Sequence, residues 1–129
     1  MLDKYKETFA RITEIEALFV NGCLVTPDSI SHIMLELAGH FTYLNAQKTN
    51  YEVDKFKRSI SIRDLIQNEA NTCGIKVPKT RIEQEVDSKL VELVSDIMIL
   101  EGTLNNVDKL ISVCQSSLKS IEREKRMPF

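Results

Sequence analysis

"VDSKLVELVSDIMILEGTLNNVDKLISVCQSSLKSI", Val86 to Ile121, decides the fold of this chain. Val86, Leu90, Leu93, Ile97, Leu100, Leu104, Val107, Ile111, Cys114, Leu118 and Ile121 recur at alternating steps of four and three, and all eleven are apolar. A helix turns about 100° per residue, so a strict seven-residue repeat of this length keeps one narrow face apolar and specifies coiled-coil packing. Between Leu90 and Leu100 the face widens, because Val91, Val94, Met98 and Ile99 are apolar outside the seam. One partner helix does not cover so broad a face, which calls for the N-terminal helix, a neighbouring subunit or both. Leu90, Leu93, Val94, Ile97, Met98, Leu100 and Leu104 are the expected oligomerisation residues.

Punctuation marks the remaining elements. The helix holding the seam opens at "TRIE", where Thr80 and Glu83 have capping-box spacing, and runs to about Arg126 before Pro128 ends it. "GTLNN", Gly102 to Asn106, reads as an irregularity within it. Upstream, "GIKVPKT" (Gly74 to Thr80) is a connector, and before it no strong breaker appears back to Pro27, which takes a first helical position after a Thr26 cap. These two helices are each roughly 65 to 70 Å long at 1.5 Å per residue, and form a long antiparallel hairpin. Helices of that length depend on packing along their whole extent. A first helix from Asp3 to Val20 has Leu2, Tyr5, Phe9, Ile12, Ile15 and Phe19 at helical spacing and stops at Asn21 and Gly22. The expectation is an all-α, oligomeric protein with one domain over residues 1–129: a short N-terminal amphipathic helix plus the hairpin, with helices at about 3–20, 27–72 and 81–126.

The middle helix begins with the same alternation, at Ile30, Met34, Leu37, Phe41 and Leu44, and then turns cationic. Continuing the steps gives Lys48, Tyr51, Lys55 and Arg58, while Val53, Phe56 and Ile60 fall on a stripe about 150° away. The buried face is therefore expected to change sides near "NAQKTN", Asn45 to Asn50. Either a swap of packing partner, for example to another subunit, or a local kink or break would produce that change.

Composition agrees with the class. Four Gly, three Pro, no Trp and 6% aromatic residues in 129 favour helices over a sandwich or an α/β sheet. The run "IMIL", Ile97 to Leu100, is far short of the roughly 20 residues that span a bilayer, and "MLDKYKETFA" has no secretory apolar region, so a soluble, unprocessed, cytoplasmic protein is expected with no membrane partner. Cys23, Cys73 and Cys114 form an odd set without a C-x-x-C pair and read as free thiols, Cys114 as a buried structural one on the apolar stripe.

Chemistry is scarce. His32 and His40 suggest no metal site, the glycines at 22, 39, 74 and 102 make no phosphate loop, and the carboxylates sit on polar helix faces. A non-enzymatic protein without cofactors is the reading. The net charge of −2 nevertheless hides a division: residues 41–81 carry eight Lys or Arg against four Asp or Glu, and residues 82–118 carry two against seven. Within the basic zone "KFKRSISIR", Lys55 to Arg63, holds four cations in nine residues. Lys48, Tyr51, Lys55 and Arg58 share a stripe, and with Lys57 and Arg63 they form the candidate nucleic-acid-binding set, cations for phosphates and a ring for stacking. The competing reading is interhelical ion pairing, with Lys57 near Asp96 and Arg58 near Glu92 in a symmetric hairpin.

The order of a helix carrying "LNAQKTNYEVDKFKR", a connector, and "KTRIEQEVDSKLVELVSDIMILEGTLNNVDKLISVCQSSLKSIEREKR" resembles the UvsY-type recombination mediators of bacteriophages over roughly residues 35–126. The resemblance implies a non-enzymatic homo-oligomer that binds single-stranded DNA and helps load a RecA-like recombinase onto strands covered by single-strand binding protein. The family's basic pair, two cations separated by one residue, would fall on Lys55 and Lys57, with lysine here where the second family cation is arginine. The family's C-terminal assembly corresponds to the heptads from Val86 to Ile121. The N-terminal helix, Asp3 to Val20, has no counterpart in that alignment. The alternative from another class is a coiled-coil assembly or scaffold protein without nucleic-acid binding, and salt-sensitive DNA binding separates the two.

Overall fold

The computed structural model describes residues 2–126, which are about 90% helical and contain no strand. A 3₁₀ turn at Leu2–Tyr5 leads into α1 (Lys6–Val20), followed by α2 (Pro27–Cys73), α3 (Lys79–Lys89) and α4 (Val91–Arg126). Pro128, the expected stop of the last helix, lies outside the described residues. Two compact units form, one from the residues up to Ala46 together with those from Leu100 on, the other Gln47–Ile99.

In the first unit every position of the α1 stripe is buried or half-buried, from Leu2 to Phe19. Tyr5, Ile12 and Ile15 are buried, as are Ile30, Leu37 and Leu44 of α2 and Leu100, Leu104, Val107 and Cys114 of α4. The Tyr5 ring stands edge-on to Tyr43 with centroids 6.0 Å apart. α1 ends in a Schellman motif, with Gly22 N–H donating to the Phe19 carbonyl at 3.1 Å and Cys23 N–H to the Leu18 carbonyl at 3.0 Å. Gly22 takes φ 66°, the left-handed conformation that motif requires. Thr26 caps α2 as expected: its Oγ1 accepts the Ser29 N–H at 3.2 Å, with Pro27 in the first turn.

The second unit pairs the C-terminal part of α2 with α3 and the start of α4. Val86, Leu90, Leu93 and Ile97 form its core, and Tyr51, Ile62, Ile82 and Val94 pack on it. The connector opens with a second Schellman motif, in which Gly74 (φ 68°) donates to the Asn71 carbonyl at 3.3 Å and Ile75 to that of Ala70 at 2.9 Å.

Three expectations about the helices change. The third helix is interrupted, not at "GTLNN", which α4 passes straight through, but at Leu90, where φ −105° and ψ 6° leave its N–H shared between the Val86 and Asp87 carbonyls. Hydrogen bonding resumes with Val94 N–H to the Leu90 carbonyl at 2.9 Å, and Leu90 keeps its buried seam position. Thr80 is not a cap: α3 starts at Lys79, with extended Pro78 at the N-cap and no side-chain bond there. α2 does not break at Asn45 to Asn50, and the apolar stripe Val53, Phe56 and Ile60 stays exposed in the single chain. Within the second unit Tyr51, Ile62, Ile66 and Ala70 share one inward face, on the same helical phase.

Candidate nucleic-acid interface

The structure sorts the expected binding residues into three groups. Lys48 and Tyr51 lie inward. The Lys48 side chain is 22% exposed, with its Nζ 3.5 Å from Glu52 Oε1. Tyr51 is half-buried against the Val86–Ile97 core, so its ring is not offered to a base, and the stacking role expected of it is withdrawn. Arg58 and Arg63 are half-exposed and engaged. Arg58 Nε is 3.0 Å from Asp54 Oδ2 one turn back, and Arg63 Nη2 donates to Glu83 Oε2 on α3 at 2.9 Å.

Lys55 and Lys57 make up the third group. Both are exposed, and among the described residues neither has an ion-pair partner. The expected pairs Lys57 with Asp96 and Arg58 with Glu92 do not form among the described residues, and Arg58 finds a carboxylate within its own helix. Two residues apart on a helix, Lys55 and Lys57 diverge by about 160° and flank Phe56. Phe56 is 66% exposed, and with Glu52, Lys55, Ser59, Arg63 and Ile97 it lines a shallow groove. The sequence places Phe56 beside the lysines, but its exposure depends on α2 holding its phase, which periodicity alone does not reveal.

The expected oligomerisation set also divides. Leu90, Leu93, Ile97, Leu100 and Leu104 are buried by the chain's own helices, Val94 is half-buried, and Met98 is exposed. Exposed Val91 and Ile99 add to what remains for a second surface.

Away from the basic zone, an ion-pair cluster joins α1 to α2. Arg11 of α1 holds Glu36 of α2 in a fork, Nε to Oε2 at 2.6 Å and Nη2 to Oε1 at 2.9 Å, with His40 Nε2 3.1 Å from the same carboxylate. The bonds from Arg11 bring the Glu36 carboxyl down to about 2, and hold the guanidinium proton more tightly in return. Burial pushes the Cys114 thiol up, away from the thiolate a nucleophile needs, while Cys23 and Cys73 are exposed free thiols. No helix of the described residues is long and apolar enough to cross a membrane. Comparison with protein-family models, with curated proteins and with solved structures finds no match to this chain.

Proposed function

We propose that the chain is a non-enzymatic, homo-oligomeric, single-stranded DNA-binding protein of the recombination-mediator kind, acting in the cytoplasm of the host cell. It holds the strand for a RecA-like recombinase to load in place of single-strand binding protein. The observation that carries the reading is the pair Lys55 and Lys57, exposed and without a carboxylate partner among the described residues in a zone of net positive charge. Lysines left unpaired by their own fold are available to phosphates, and releasing condensed counterions from the strand would drive binding. The half-exposed Arg58 has donors left over to extend the path. Lys48 contributes only long-range potential.

Replacing both lysines, Lys55→Ala with Lys57→Ala, tests this by fluorescence anisotropy on labelled single strands across a salt series. Affinity should fall for all sequences alike, since binding to phosphates carries no base information. The slope of log K against log salt should flatten by about 1.4, at roughly 0.7 for each phosphate no longer neutralised. The melting temperature should not move, because neither lysine makes an ion pair among the described residues. An unchanged slope would remove the nucleic-acid assignment and leave the second reading, an assembly protein. That reading is favoured by the apolar residues exposed on α2 and α4, among them Val53, Phe56, Val91 and Met98.

A further inference from the structure

The heptads that bury the hairpin seam are not the only ones in the Gln47–Ile99 unit. On α2, Val53, Phe56, Ile60 and Arg63 follow steps of three, four and three, and the three apolar members are 47%, 66% and 41% exposed. Asp87 of α3 and Val91, Val94 and Met98 of α4 follow steps of four, three and four. Together with Ser95 they line a shallow apolar depression, in which Val91 and Met98 are 60% and 65% exposed. Each row is a short second seam of the kind that receives another helix. Among the described residues Val53, Phe56, Ile60, Val91 and Met98 stay exposed, and Val94 is half-buried.

We infer that the two rows are a matched pair, and that the α2 row of one copy of this chain docks antiparallel on the α3–α4 row of a second copy. Their polar ends select the register. Setting Phe56 opposite Val94 in antiparallel alignment brings Ile60 opposite Val91, Val53 opposite Met98, and Arg63 opposite Asp87. Asp87 has no ion-pair partner among the described residues, and the Arg63 guanidinium uses one nitrogen on Glu83 and keeps other donors. Longer-range charge agrees: residues 48–63 carry five Lys or Arg against two Asp or Glu, and residues 83–99 carry one against five. A parallel alignment would forfeit the Arg63–Asp87 match.

Each row lies in the same rotational sense from its buried seam, roughly 80° to 160° round the helix. In an antiparallel helix pair equal offsets fall on one face, so both rows of a copy open on the same side. A twofold axis then lets two copies make two identical contacts at once, α2 on the partner's α4 and the reverse, closing a four-helix layer. This specifies the contact behind the self-association in the proposed function. It uses Phe56 and leaves Lys55 and Lys57 at its margins.

Charge exchange tests it with full-length protein and no nucleic acid present, so a failure here is separate from a failure to bind DNA. Sedimentation equilibrium should show that Arg63→Glu and Asp87→Arg each weaken self-association by about tenfold or more, through like charges placed in contact. Mixing the two variants should restore it, because in the mixed dimer each contact again pairs opposite charges. Met98→Glu, exposed and away from both charges, should weaken association with no rescue by mixing. Wild-type protein that stays monomeric at high micromolar concentration overturns the inference. So does wild-type association of both charge variants, or a mixture no tighter than its components.

Discussion

Glu36 shows how a single contact sets the response to acid. Its carboxyl is half-buried between α1 and α2, where desolvation alone would raise its pKa, yet two hydrogen bonds from Arg11 outweigh burial and bring it to about 2 from an ordinary 4.5. The folded state therefore binds fewer protons at this site than the unfolded state between those values. The stabilisation is complete above about pH 4.5 and is lost as pH falls towards 2. Glu36→Gln should flatten the acid limb of the melting temperature across that window. At neutral pH it should cost about 1 kcal/mol, the scale of a half-exposed forked pair. Parallel acid limbs for the two proteins would show that Arg11 and Glu36 do not bind in solution as they do here. No periodicity announces this pair, since Arg11 and Glu36 belong to different helices and meet only once α1 has docked.

At the level of elements, the sequence is most legible where local chemistry and packing agree. Eight of the eleven heptad positions from Val86 to Ile121 are buried and the other three half-buried, and the Thr26 cap and both glycine stops stand where their residue types place them. The cationic interval of α2 misleads because an apolar stripe, Val53 to Ile60, has the look of an inward face and instead points to solvent. Within the second unit Tyr51, Ile62 and Ile66 take the inward positions instead, and Lys48 lies inward at small cost because its stem is apolar and its ammonium reaches Glu52. The break at Leu90 leaves no mark in the sequence, as leucine is a good helix former and the departure is one shared hydrogen bond. The helix ends are the sharper test. Gly74 needs φ 68°, and a Cβ built there meets nothing within 4 Å, so the cost of a side chain is purely conformational. Gly74→Ala should lower stability by about 1 kcal/mol in urea denaturation. No change would mean that the connector does not end α2 in the left-handed conformation.

On the scale of the whole molecule, the division of charge matters more than its sum. A net −2 gives little reason to expect affinity for a polyanion, but the charge is divided along the chain, with eight Lys or Arg against four Asp or Glu in residues 41–81 and two against seven in residues 82–118. That separation serves both proposed contacts, one electrostatic and the other mainly apolar, so salt should distinguish them in the same preparation. Raising sodium chloride tenfold, from about 0.05 to about 0.5 M, should cost single-stranded DNA binding about 25-fold through Lys55 and Lys57 alone, at roughly 0.7 per neutralised phosphate on a logarithmic scale. Self-association should respond much less. Its Arg63–Asp87 pairs are exposed and each is worth less than about 1 kcal/mol, whereas the burial of Phe56, Ile60, Val91 and Met98 does not weaken with ionic strength. Anisotropy and sedimentation over one salt series would read both responses. If self-association fell as steeply as DNA binding, charge rather than the apolar rows would be holding the copies together, and the register centred on Phe56 and Val94 would have to be given up.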